Sequence, residues 1–202
     1  MIPLVEVVMQ RLTQTLLRRK LKLKGVHITG RLTIIGAPIV DVFPKSTVTL
    51  HDSVSLVSRS WWTALGVSRP IIIRTLASGA EISIGSGSGL SGTTLCSAVG
   101  ITIGSRVLAG ADVLITDTDF HPIDQFPRVN LPIPVGDPSD AIVIEDDVFL
   151  GARSIILKGV RIGAGTVVGA GSVVSRTLPP GVVAAGNPAR VIRKLSPRAD
   201  HS

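Results

Sequence analysis

Aromatic residues make up only 3% of this 202-residue chain, and tyrosine is absent. Its core must therefore be assembled from small aliphatic side chains. The single cysteine, Cys96, excludes an internal disulfide and a thiolate zinc cluster. No apolar run reaches the roughly 18 residues of a membrane span. Charged residues are scarce at 17% against a hydrophobic 45%, too apolar a balance for disorder. The net charge of +7 is modest, and no pattern of interleaved aromatic and basic residues accompanies it, so no nucleic acid is expected as a partner. What is plentiful is turn material, with 21 glycines and 13 prolines. These totals predict one cytoplasmic domain of ordinary size, rich in short strands and turns.

The apolar stretch Ile2 to Met9 has no basic residue preceding it, which is not the order of a secretory signal. Val5, Met9, Leu12, Leu16 and Leu17 recur at helical spacing, predicting an amphipathic helix over residues 3–20 in an N-terminal segment 1–24. Arg18, Arg19, Lys20, Lys22 and Lys24 make its end basic. Such a helix either caps the fold, its basic residues complementing its own dipole, or makes peripheral contact with an acidic membrane surface.

From residue 144 a period of six runs unbroken through Ile144, Leu150, Ile156, Ile162, Val168 and Val174. Two places before each stand Ile142, Val148, Ser154, Val160, Thr166 and Ser172, and Gly151, Gly163 and Gly169 follow directly. Ile103, Ala109 and Ile115 keep the same beat, and weaker copies occur at Ile28, Ile34 and Val40, at Leu50 and Leu56, and at Ile84, Leu90 and Cys96. Six matches no helix and no plain alternation; it matches a short strand plus a turn, the hexapeptide signature of a parallel β-helix. Three hexads close one triangular coil, stacking residue i beneath i+18 at the ~4.8 Å strand spacing. Ile144 then lies under Ile162, Leu150 under Val168 and Ile156 under Val174. About six or seven coils fit between residues 25 and 178. A prism this thin explains the shortage of aromatics.

Between Ile115 and Ile144 the beat stops. The segment from Asp117 to Ala141 holds five of the 13 prolines and must leave the prism as a long loop, the kind of element where function concentrates. Near its start, His121 is surrounded by Asp117, Asp119 and Asp124. Imidazole accepts a proton near neutral pH, and a neighbouring carboxylate can fix its tautomer, so His121 is the candidate base. His27, His51 and His201 have no comparable setting. The run Gly85 to Gly92 contains a literal G-x-G-x-x-G, but more strand follows it where a dinucleotide fold needs a helix, so its glycines are read as turns.

Ile101-Thr-Ile-Gly104, His121-Pro122, Val148-Phe-Leu-Gly-Ala152, Val168 to Ser175 and the ending Pro179-Pro-Gly-Val-Val-Ala-Ala-Gly-Asn-Pro-Ala-Arg-Val-Ile-Arg193 together resemble the hexapeptide-repeat acetyltransferases. The likeness covers roughly Ile82 to Arg193 and is to the sugar and polysaccharide O-acetyltransferases related to the galactoside and maltose enzymes. It implies an all-β, left-handed parallel β-helix over residues 25–178, its loop at 117–141, followed by a coenzyme A-side segment and polar tail at 179–202. It also implies a homotrimer with clefts between subunits, and acetyl-CoA as co-substrate. His121 matches the family's general base, and the backbone N–H of Ala152 its oxyanion donor. Ala170 falls where the pantetheine arm lies, Ser175 and Arg176 near the adenine end, and Arg190 and Arg193 suit the phosphates. Lys158, at a coil turn, is a further candidate to assist. Some family members hold a metal between three histidines, two of them close in sequence; here the four histidines are dispersed, and no metal is expected.

The departures concern the acceptor. No asparagine matches the family's sugar-orienting one, and Ser91, Thr93, Asp119 and Arg128 are the remaining candidates to contact a saccharide, with turn and loop-organising roles as the alternatives. Trp61-Trp62 is either an excursion packed on the prism or a subunit interface, or a platform for a sugar ring. The resulting expectation is transfer of acetyl to a saccharide hydroxyl, in surface-polysaccharide or glycolipid synthesis. N-acetylation of an amino sugar or antibiotic, and a non-catalytic trimeric scaffold, are the competing readings.

Overall fold

The computed structural model describes residues 4–129, 131–134 and 136–196. His201 and the side chains of Val5, Met9 and Leu12 lie outside the described residues. The chain winds around a triangle, and each circuit lays one strand on each of three parallel sheets. The first face carries Val26–Ile28, Thr47–Leu50, Glu81–Ile84, Gly100–Ile103, Ile142–Ile144 and Arg161–Ile162. The second carries Leu32–Ile35, Val54–Val57, Gly89–Ser91, Leu108–Ala109, Phe149–Leu150 and Val167–Val168, then Val182–Gly186 and the antiparallel Ala189–Lys194. The third carries Ile39–Asp41, Ile72–Thr75, Thr94–Ser97, Leu114–Thr116, Ile155–Ile156 and Val173–Val174. This is a left-handed parallel β-helix, with 6 strands on its first and third faces.

The register follows the six-residue period. Ile144 pairs with Ile162, Leu150 with Val168 and Ile156 with Val174. All six side chains are buried, and so are the small residues two places before them, Ser154, Thr166 and Ser172 among them. Each buried aliphatic contributes about 1.5–3 kcal/mol, so the columns of stacked Ile, Leu and Val are the main source of stability. One assignment of phase needs correction. The residue facing the axis is Leu95, not Cys96: Leu95 stacks between Ile73 and Ile115 and is fully buried. The step from Leu90 is one residue short of six, and Cys96 instead pairs with Arg74 and Thr116 on the outer side of the third face.

The N-terminal helix, Leu4–Leu23, caps the first coil. Leu21 is buried, Leu17 rests on the core, and the Arg18 guanidinium donates to the Gly30 carbonyl at 2.7 Å. Lys24 donates to the Val40 carbonyl, covering a strand that has no coil beneath it. Among the described residues, no helix is long and apolar enough to cross a membrane.

The three corners of the triangle differ. At the first-to-second corner, backbone N–H groups are closed off by carboxylates of adjacent coils: Arg31 donates to Asp52 (2.7 Å), Ser105 to Asp146 (2.9 Å) and Ala164 to Glu145 (2.8 Å). Arg106 adds ion pairs to Asp146 and Asp147. The third-to-first corner emits the predicted loop between Thr116 and Ile142. A second excursion, which carries Trp61-Trp62, leaves the second-to-third corner between Val57 and Ile72 and contains a short helical turn, Ser60–Trp62.

Candidate active site

The loop carrying His121 is fastened at both ends. Asp117, fully buried at its root, accepts from Ser97 Oγ (2.7 Å) and from the backbone N–H of Ala98 (2.6 Å), Val99 (3.1 Å) and Gly100 (2.7 Å). Its carboxylate is thus committed to the preceding coil and does not orient His121. Lys158, one coil further on, pairs with Asp119 at 2.7 Å and with Asp140 at 3.4 Å, clamping the outgoing and returning legs together. The hydrogen bond to Asp119 raises the Lys158 pKa above its ordinary value. A capping box at Asp137 and Asp140 shapes the return.

Phe120 adopts φ 61°, a left-handed conformation that a bulky side chain seldom takes. The tight turn it makes brings the His121 N–H to the Asp119 carbonyl at 2.7 Å and leaves the imidazole exposed. The ring makes no hydrogen bond or ion pair among the described residues. Arg128 organises the loop rather than projecting from it: its guanidinium donates to the carbonyls of Pro122 (3.1 Å) and Ile123 (2.5 Å) and stacks 4.1 Å from the Phe126 ring centre.

The second-to-third corner is built differently. Here a cleft of about 430 Å³ is lined by Leu65, Gly66, Ala111, Asp112, Ala152, Arg153, Ala170 and Gly171. Its floor is a column of Gly-Ala steps at residues 110–111, 151–152 and 169–170. The glycines permit close stacking; a Cβ on Gly151 would come within 2.5 Å of the Ala170 nitrogen. At the first corner the N–H after Gly30, Gly104 and Gly163 meets a carboxylate. At this corner the N–H groups of Ala152 and Ala170 have no acceptor among the described residues. A groove with small walls and unspent backbone donors suits an extended, amide-containing chain and a developing oxyanion.

Beyond Ala170 the coils end in the hairpin formed by Val182–Gly186 and Ala189–Lys194. Arg190 and Arg193 are exposed on this hairpin, Ser175 and Arg176 are exposed just after the third-face strand Val173–Val174, and the three arginines have no acidic partner among the described residues. On the N-terminal side, Ser91 is partly exposed, but Thr93 is fully buried with its hydroxyl directed at the Ser91 carbonyl. Thr93 fills the inside of the corner and has no face to offer an acceptor. Leu65, Gly66, Asp112 and Arg153 were not singled out in the sequence. The gap in the beat between Leu56 and Ile73 was the available signal for the first two. Among the described residues, no three His, Cys, Asp or Glu side chains gather as metal ligands.

His121 and the cleft occupy different corners of one chain. The loop leaves where the third face meets the first, whereas Ala152 lies where the second meets the third. A whole third-face strand with its turn separates them, about 20 Å at ~3.3 Å per residue.

Comparison with known proteins agrees with this architecture. Residues 141–176 match the family model described as the hexapeptide repeat of succinyl-transferase. Galactoside O-acetyltransferase of Escherichia coli is 41% identical over 102 residues, 50% of this chain and 47% of that one. The chain thus spans about half the length of that curated relative. The polySia-specific acetyltransferase NeuO superposes with a TM-score of 0.57 at 25% identity, covering 88% of this chain and 74% of its own. A hexapeptide-repeat acetyltransferase of Vibrio cholerae, solved with acetyl coenzyme A, gives 0.54 at 25% identity, covering 89% and 77%.

Proposed function

We propose that this hexapeptide-repeat chain, whose sequence and structural relatives are acetyltransferases, transfers acetyl from acetyl-CoA to a hydroxyl of a saccharide. The observation that carries the reading is the second-to-third corner, where Ala152 and Ala170 keep free backbone donors along a groove, whereas at the first-to-second corner the donors of Arg31, Ser105 and Ala164 are spent on carboxylates. The thioester belongs at Ala152, the pantetheine arm at Ala170, and the nucleotide at the basic end marked by Ser175, Arg176, Arg190 and Arg193. An alcohol is a poor nucleophile until its proton leaves. His121 takes that proton as the oxygen bonds to the thioester carbonyl carbon, the Ala152 N–H meets the oxyanion, and the C–S bond breaks with the proton passing to the departing thiolate.

Since His121 and Ala152 stand at different corners, the working site joins two chains, His121 of one reaching the cleft of the next. A homotrimer closes this arrangement. Leu108, Phe149, Val167 and Val183 form an outward apolar ladder on the second face, in keeping with a surface covered by another copy. Arg19, Lys20 and Lys22, beside exposed Leu16 and Leu23, favour an acceptor made near the cytoplasmic side of a membrane, in polysaccharide or glycolipid synthesis.

The test is a saccharide screen with acetyl-CoA that reads free thiol. His121→Ala is expected to lower kcat by about 10²–10⁴ while acetyl-CoA affinity is kept. Mixing His121→Ala chains with Ala170→Trp chains, whose groove is filled, should restore part of the activity. Unchanged turnover in His121→Ala, or no recovery on mixing, overturns the base and the shared site respectively. Hydroxylamine cleavage of the product identifies an ester; resistance indicates an amide and the N-acetylating alternative.

A further inference from the structure

The second excursion, residues 58–71, is a built element rather than a slack loop. Ser58 Oγ accepts from the Ile71 N–H at 3.1 Å, and Ser60 Oγ accepts from the Val67 N–H at 3.2 Å. Both carboxylate oxygens of the buried Asp112 accept from the Ser68 N–H, at 2.9 and 3.2 Å, fastening the excursion to the corner two coils higher. Gly66 turns with φ 69° against Ser60, where a Cβ would lie 2.6 Å from the hydroxyl. These ties place Leu65 and Gly66 on the rim of the cleft.

This fastened element carries its two tryptophans at the surface. Trp61 is 74% exposed and Trp62 47%, in a sequence with only two tryptophans. Exposed rings of this size in an aromatic-poor protein mark a binding surface. The Arg59 guanidinium lies 4.9 Å from the Trp61 ring centre, covering one face and leaving the other open. No acidic residue occurs between Asp52 and Glu81. Arg31, Arg74, Arg106 and Arg161 all pair with carboxylates, whereas Arg59 and Arg69, and Arg153 in the cleft, have no acidic partner among the described residues. The nearby acid, Asp112, is turned inward to Ser68.

Direction along the corner supplies the role. On the function proposed above, the cofactor arm runs from the basic C-terminal end past Ala170 to its thioester at Ala152. The acceptor must then approach from the opposite side, where Ala111 and the excursion stand. We propose that the 58–71 excursion is the acceptor wall of the cleft and selects an anionic saccharide, a sugar ring lying on the open face of Trp61 and its acidic group meeting Arg59 and Arg69. A guanidinium forks naturally onto carboxylate or sulfate, and the aromatic face accommodates the ring's C–H side.

The proposal is tested on the intact chain with trigalacturonic acid, trisialic acid, a sulfated maltotriose and plain maltotriose. Thiol release at saturating acetyl-CoA is measured alongside saturation-transfer NMR without acetyl-CoA. At least one anionic probe should exceed plain maltotriose about tenfold in kcat/KM, with the advantage shrinking as salt rises; whether carboxylate or sulfate probes lead identifies the acidic group. Trp61→Ala and Arg69→Gln should each raise its KM about tenfold, with the acetyl-CoA KM and melting temperature unchanged because both side chains are exposed. Equal use of neutral and anionic probes, or an unmoved KM in both variants, overturns it. Anionic probes that contact tryptophan protons without thiol release would sustain this inference and overturn the acetyl-transfer reading. Turnover of plain maltotriose alone would do the reverse, and neither contact nor turnover would overturn both.

Discussion

Replacing Asp117 with alanine should cost about 4 kcal/mol, because its carboxylate is, among the described residues, the acceptor on which the donors of a turn closed to water on its inner side converge. Four donors converge on it: the Ser97 hydroxyl and the N–H groups of Ala98, Val99 and Gly100. Val99 and Gly100 are partly exposed and can turn to water, whereas Ser97 and Ala98 are buried. An orphaned buried donor costs about 1–3 kcal/mol, so two give about 2–6 kcal/mol, a large share of a total stability of about 5–15 kcal/mol. Asp117→Asn keeps the shape but sets an NH₂ against N–H donors, and should lose about half as much. Urea unfolding measures both, with the midpoint falling and the slope unchanged. Since Asp117 roots the His121 loop, the milder variant should also lower kcat while the acetyl-CoA KM holds. A loss under about 1 kcal/mol in Asp117→Ala would refute the reasoning, showing that water enters the turn or that the carboxylate does not hold it.

Further outcomes follow from the phase of the third face and from the Lys158 clamp. Leu95→Ala should destabilise by about 2–5 kcal/mol and Cys96→Ala by less than about 1.5 kcal/mol, whereas the opposite order would place Cys96 on the axis. Burial raises the Cys96 pKa, so the native thiol should stay silent to Ellman's reagent at pH 8 and react once in urea. Lys158→Met should release both legs of the loop and speed tryptic cleavage after Arg128, at a stability cost no larger than about 1 kcal/mol because the pair is partly exposed. Asp119 raises the Lys158 pKa, so the clamp is complete below the ordinary lysine value and is lost as pH climbs through the raised one. Loop cleavage that is identical in the two proteins at neutral pH would contradict it.

Much of this architecture is legible in the sequence alone. A side chain's inward or outward direction in a coil depends only on its phase, so the unbroken beat from Ile144 to Val174 carried the parallel register, the axial core and the long loop after Thr116. Where the beat is uneven, phase alone is ambiguous. Leu95 and Cys96 are both apolar enough to face inward, and only the pairing with Ile73 and Ile115 separates them. Thr93 was equally undecidable, since a threonine suits a corner's interior as well as its surface.

The order of small and aliphatic residues was therefore sufficient for the prism, because stacking at a fixed rise converts a one-dimensional period directly into neighbours. It was insufficient for the site. Which acid serves the loop root and which pairs with Lys158, and that Trp61 overhangs the same corner as Ala152, depend on contacts between segments far apart in the chain. Those distances are set by the fold as a whole, and no local spacing encodes them.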